Sequence, residues 1–222
     1  SNGDSAAPAS DPGFSYLGGD FGSTSTPIKS TVVYKSDLAA WRRIVHDYSF
    51  AVIEMVMQNA GVKTGVITST IRSLDIQIDT MYTYCSKSWT NNQDVLEQYE
   101  LYGSTGDEII KVFEANRTKP EAECKRAMKA RGEELALQGR RISRHICSPT
   151  EYAARNIIDI GMGSTAAASP STYNAGAITN AIKKAVADGY IAKFVDETNI
   201  SNQCWHLEII PYAVPFEFKW PA

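Results

Sequence analysis

What the chain lacks narrows its chemistry. No apolar run approaches the roughly 20 residues of a membrane-spanning helix. Histidine is scarce, at three residues (His46, His145 and His206), and cysteine numbers four, at 85, 124, 147 and 204. No two cysteines form a C-x-x-C pair and the histidines complete no zinc spacing, so no metal ligand is assigned. Two disulfides are arithmetically possible, in three connectivities, but a chain this long and core-rich needs no staples. Glycine fingerprints for nucleotides, serine-nucleophile elbows and metal-binding helix motifs are missing. Gly161-Met162-Gly163 lacks a third glycine and follows no clear strand. Carboxylates are plentiful, yet no pair stands out for acid–base work. The Cys204-x-His206 pair invites a nucleophile–base reading, but adjacent strand residues point to opposite faces and no third group can be placed. The expectation is a protein that is not an enzyme.

What is present suits a packed core: 222 residues, 43% of them hydrophobic and 21% charged. A net charge of -3 argues against a general nucleic-acid coat, although the basic residues are clustered. The fold class expected is mainly α, an irregular multi-helix domain with an extended N-terminal arm and a small extended or β C-terminal segment. Residues 1–35, rich in Gly, Ser, Thr, Pro and Asp, read as the arm, either with Phe14, Tyr16, Leu17 and Phe21 as docking anchors or as a merely disordered terminus. The opening S-N-G-D-S-A-A-P-A-S reads as an end left by removal of a targeting peptide, or as an artificial edge.

Residues 36–189 read as the helical domain. Ser36-Asp37 caps a helix whose stripe runs through Leu38, Trp41, Ile44, Val45, Tyr48, Val52, Met55 and Val56, with Gly61 closing it. His46, off that stripe, is assigned an ordinary surface or hydrogen-bonded role. Val66–Tyr84 favours strand by propensity, but Ile67, Ile71, Leu74, Ile78 and Met81 keep a helical period, so it is read as helix. Asn91 or Asn92 caps a short helix ending at Gly103, and Thr105–Glu108 a second running to about Ala115. Thr118-Lys119-Pro120-Glu121 starts a longer one, with a kink or break near Gly132. Ser148-Pro149 and Ser169-Pro170 each look like helix starts, joined by a loop over 161–168. Residues 190–222 read as extended: strands at 190–195, 205–210 and 216–220, confined by Pro211, Pro215 and Pro221 to edges or tails.

The stretch Glu121–Tyr152 holds Cys124 and Cys147 among Lys125, Arg126, Lys129, Arg131, Arg140, Arg141, Arg144 and His145. Cations lower a thiol's pKa and grip the carboxylates of anything bound to the sulfur. The plain alternative is a solvated helix face. Cys85 lies between tyrosines and Trp89, in M-Y-T-Y-C-S-K-S-W. Such a setting either sandwiches a planar ligand or is an aromatic core with a buried cysteine.

Through E-C-K-R-A-M-K-A-R-G-E-E-L-A-L-Q-G-R-R-I-S-R-H-I and S-P-T-E-Y-A-A-R-N-I-I-D-I-G-M, the chain resembles the γ subunit of red-algal phycoerythrin over about residues 36–210. The resemblance implies a chloroplast light-harvesting linker on the stromal side of the thylakoid, without membrane insertion or nucleic acid. It would fill the centre of a phycoerythrin hexamer, with phycoerythrin α and β subunits and other phycobilisome linkers as partners. It implies thioether-bound phycourobilin or phycoerythrobilin on Cys85, Cys124 and Cys204, and on Cys147 if it is not buried, with Lys125, Arg126 and Arg131 on the propionates. Asp75, Asp79 or Asp94 would face the pyrrole nitrogens. The slightly acidic pI departs from the usually basic linkers. A helical capsid or filament protein binding RNA through the basic helix is the alternative. The pigment reading predicts that protein from its natural source keeps its colour on a denaturing gel and carries an intact mass above that of the bare chain. A colourless protein with four free thiols would exclude it.

Overall fold

The computed structural model describes residues 29–87 and 93–219. The mainly α expectation is overturned. Five strands form one mixed sheet in the order β1-β2-β3-β5-β4, and eight α-helices pack around it among the described residues. The strands are β1 (Thr31–Tyr34), β2 (Thr64–Ser69), β3 (Asn156–Gly161), β4 (Lys193–Glu197) and β5 (Cys204–Ile209). The helices are α1 (Asp47–Ala60), α2 (Leu74–Cys85), α3 (Gln93–Leu101), α4 (Ser104–Asn116), α5 (Glu121–Leu137), α6 (Pro149–Ala154), α7 (Met162–Ala168) and α8 (Ala175–Ala187). β1 runs parallel to β2; the β2–β3, β3–β5 and β5–β4 pairs are antiparallel.

The sheet explains most of the differences from the sequence reading. The period-3.6 pattern over 66–84 spans two elements, a strand and then a helix whose N-cap is Ser73, accepting from the Ile76 N–H. β-branched residues in the first part follow their strand propensity because β2 is flanked on both sides. β3 went unread because all six of its residues are buried, which removes the alternation that marks a half-exposed strand. The first helix begins at Asp47 rather than after Ser36, with His46 as its N-cap: Nδ1 accepts from the Tyr48 N–H at 3.0 Å. Gly61 ends it at a φ of 69°, as expected. The loop expected over 161–168 is largely α7.

Caps divide the same way. Ser148 and Glu151 form a full capping box on α6. The second Ser-Pro does not start a helix, since α8 is capped by Asn174. Helices α4 and α5 form without side-chain caps, from Gly103 and Pro120. α5 also runs unbroken through Gly132. A Cβ there would lie 2.9 Å from Leu74 Cδ1 and 3.3 Å from Ile142 Cδ1, so this glycine lets α2 and the following loop approach. The expected helix cap at Asn91 or Asn92, Trp89 and most of the N-terminal arm lie outside the described residues. Of the segment read as a third C-terminal strand, 216–219 carries no strand.

Strand alternation divides the chemistry. On one face, Ile158, Ile160, Trp205, Leu207 and Ile209 join Ile67 and the buried sides of α1 and α8 in the larger core. Trp205 donates its indole N–H to Thr179 Oγ1 at 2.9 Å, so the ring is buried with its polar edge satisfied. A second core, built from α2–α5, gathers Ile78, Met81, Ile109, Ile110, Phe113, Met128 and Leu135. Ile158 is wholly buried at the centre of the sheet. Ile158→Ala should therefore lower unfolding stability by about 2–5 kcal/mol, read from urea denaturation, with unchanged far-ultraviolet circular dichroism.

Candidate metal centre

The opposite face of β3, β4 and β5 is polar. Asp159 pairs directly with His206, which neighbours Val195; Glu197 stands across from Cys204 and Lys193 across from Glu208. Cys204, His206 and Glu208 share this face by period two. The relation read from sequence for the Cys204-x-His206 pair is thereby corrected, because residues two apart on a strand point the same way. His145 and Arg72 reach in from loops bridged to each other by the Arg72–Ile146 pairing.

Asp159 is the hub. Its Oδ2 lies 3.1 Å from Arg72 Nη2 and 3.2 Å from His145 Nε2, and its Oδ1 lies 2.9 Å from His206 Nδ1. Arg72 is held from behind, donating to Ser69 Oγ at 2.9 Å and Gln77 Oε1 at 2.8 Å. His206 Nε2 lies 3.0 Å from Glu208 Oε2. Glu208 Oε1 in turn accepts from Arg155 at 2.7 Å and Arg144 at 3.1 Å. Glu197 is the next carboxylate out, its Oε2 3.9 Å from His206 Nδ1, and its Oε1 accepts from Asn202. A cavity of about 270 Å³ opens on this cluster, with Tyr102, Arg144 and Lys193 also in its wall.

Proton positions follow from the partners. His145 Nδ1 lies 2.6 Å from the Thr70 carbonyl, which only accepts, so that nitrogen carries the proton. Burial and Arg72 push the His145 pKa down to about 4, and the ring is neutral at pH 7. Its Nε2 lone pair then faces a carboxylate oxygen. Two acceptors at 3.2 Å repel unless a cation or a proton lies between them. His206 is the reverse case. Burial opposes its charge, but the hydrogen bonds to Asp159 and Glu208 outweigh burial and push its pKa up to about 9. Asp159 stays well below the usual carboxylate range: burial opposes its charge, and the charged His206 on Oδ1, with Arg72 on Oδ2, outweighs burial. Burial and Asp159 raise Glu197 to about 7. Burial also opposes the charge of Glu208, while His206 and Arg155 bring it down to about 2.

The arrangement fits a metal-ligand set. One ligand atom each from His145, Asp159 and His206 lies within 4.8 Å of the others, and Asp159, Glu197 and Cys204 form a second such group around the same carboxylate. Ligating histidines usually bond their far nitrogen to a carbonyl or carboxylate, which fixes the ring. Both rings meet that condition, His145 through the Thr70 carbonyl and His206 through Glu208. The near nitrogens stand 3.2 Å from one Asp159 oxygen and 2.9 Å from the other, so both imidazoles converge on one carboxylate. Arg72, beside Oδ2, holds Asp159 ionised, and its like charge reduces affinity for a cation.

The residues expected to carry pigment are dispersed. Cys85, Cys124 and Cys204 are buried, and all four cysteines are free thiols. Burial raises each of those three thiols, Cys85 to about 12. Cys124 sits under α4, against the Phe113 carbonyl and Met128. Lys125 bridges Asp79 at 3.0 Å and Glu121 at 2.8 Å, and Arg131 bridges Glu108 and Glu134. Lys129 meets Asp75 at 2.8 Å, so these cations of α5 are engaged by neighbouring carboxylates; Arg126 is exposed. Asp94 is buried beside the second core. Only Cys147 is partly exposed. The sequence reading passed over Arg72, Asp159, Glu197 and Glu208. The one available signal was a charge placed among isoleucines at Ile157-Ile158-Asp159-Ile160, costly to bury without partners.

Comparison with known proteins places the chain in no group: no protein-family model, curated protein or solved structure matches it.

Glu208 supplies a test of the network. A carboxyl depressed from its ordinary value near 4.5 to about 2 contributes stability above pH 4.5 that is lost as pH falls toward 2. In chelator-treated protein, Glu208→Gln should flatten the loss of stability over that window. At pH 7 it should cost about 2–3 kcal/mol, below the range for a fully buried pair because its guanidinium partners reach solvent. Denaturation midpoints across pH check both expectations.

Proposed function

We propose that the protein binds one divalent transition-metal ion of the zinc class through His145, Asp159 and His206 and acts as a metal-dependent hydrolase. The observation that carries the reading is the pair of imidazoles. Each is anchored by its far nitrogen, and each turns its near nitrogen onto the same buried carboxylate. An ion there would supply a Lewis acid and a bound water ionised near neutral pH. Glu197, the next carboxylate out at 3.9 Å from His206 Nδ1, is the chain's nearest group to exchange a proton with that water. Glu208 orients His206, Thr70 orients His145, and Arg72 keeps Asp159 charged. The cavity gives a small substrate access to this face.

Pigment carriage by a phycobilisome linker is the second reading. What supports it is Cys147 alone, the one cysteine with an exposed side, in a groove walled by Arg141, Arg144 and Arg155.

Cobalt(II) is the direct probe of the first reading. One equivalent added to chelator-treated protein should give intense visible absorption of a four- or five-coordinate site, and zinc should abolish it. Zinc at 100 times its dissociation constant should stabilise the fold by about 2.7 kcal/mol. Affinity should rise between pH 6 and 9, as His206 gives up the proton that competes with the metal. His206→Ala should remove the spectrum. Absence of any cobalt spectrum from folded wild-type protein would reduce the cluster to a charge network joining the sheet to the helical layer.

A further inference from the structure

A second cavity, of about 440 Å³, lies against the first, and the two share Ile142, Ser143 and Arg144. Its wall holds three arginines, Arg141, Arg144 and Arg155, with Glu151 and the Cys147 thiol. We infer that this groove binds a phosphate group, and that it holds the phosphoryl end of a substrate presented to the neighbouring metal centre. The second clause rests on the metal-binding reading; the first stands on the groove alone.

Charge and geometry support the assignment. Three guanidiniums share two carboxylates: Arg141 pairs with Glu151 at 2.7 Å, while Arg144 and Arg155 both meet Glu208 Oε1. Glu208 also accepts from His206, so its negative charge is divided among three donors. The groove is therefore left with surplus positive charge and spare N–H donors, since each guanidinium carries five. Arg141 and Arg144 keep about half of their side-chain surface, at 47% and 56%, so those donors are reachable from solvent. Guanidinium forks match phosphate oxygens in pairs, which makes arginine the usual residue for this work. Glu208 links the sites, standing between the arginines and His206. Arg144 belongs to both walls, so a phosphate on Arg141 and Arg144 would leave the rest of the molecule beside His206 and Asp159.

Cys147 serves as a built-in reporter, because the other three cysteines are buried. The experiment measures inorganic phosphate binding to full-length protein by calorimetry, together with the rate of Cys147 alkylation by iodoacetate, with and without one equivalent of cobalt(II). Phosphate should bind and should slow alkylation at Cys147, as mapped by peptide mass. Arg141→Ala should weaken phosphate by about tenfold to a hundredfold, as expected for one charged hydrogen-bonding partner. It should leave the cobalt spectrum unchanged, since Arg141 touches none of the metal-binding residues. Arg141→Lys should recover part of the affinity. Phosphate binding and protection without a cobalt spectrum would uphold the groove and remove only its link to a metal. A normal cobalt spectrum with no phosphate binding, with binding indifferent to Arg141, or with acetate bound as tightly as phosphate, would overturn the assignment.

Discussion

An ionised carboxylate on the middle strand of a sheet must be answered from several directions, and Asp159 sets that requirement here. An isolated charge at this depth would cost several kcal/mol or would not ionise at all. The chain answers with groups from distant segments: Arg72 from the turn after β2, His145 from the loop after α5, and His206 from β5. Those contacts fix the register of β3 against β5, because a slip of one residue would turn Asp159 into the apolar layer beside Trp205. They also decide where the helical layer sits, since Gln77 and Tyr102 complete the ring around Arg72.

The two cores divide the labour. Behind the sheet, α1 and α8 supply a dry layer of aliphatic and aromatic side chains. In front, α2–α5 bury their own cluster, and their lysines and arginines bridge one helix to the next. The run of cations on α5 that resembles a binding surface in sequence is thus largely mortar between helices. Cys85 and Cys124 are small apolar packing units in the same cluster. The three arginines that line the second cavity lie instead in the loop after α5 and at the end of α6, at Arg141, Arg144 and Arg155.

How much was legible follows from this plan. Elements bounded by local signals were visible: Gly61 closing α1, the capping box at Ser148, the helix ending near Gly189 and the strand around Trp205. Elements defined by burial on all sides were not. β3 has no alternation to read, and β2 continues without a break signal into the period of α2. The candidate site was illegible for a different reason. Its histidines are 61 positions apart, and only the β3–β5 pairing and a loop crossing bring them to one carboxylate. Spacing rules for metal ligands register clusters in sequence; this cluster exists only across strands.

The short helix α7 carries a consequence for the sheet as a surface. β2 meets β3 only at its C-terminal end, leaving Thr64 and Val66 facing away from any strand on that side. Ser169 Oγ accepts from the Thr64 N–H and donates to its carbonyl, both at 2.9 Å, while Thr165 Oγ1 accepts from the Val66 N–H. Hydroxyl groups thus occupy the backbone positions that an intruding strand would need. The gap between the two halves of the sheet is plugged from within the chain, so a neighbouring molecule finds no open ladder there on which to begin a shared β-structure.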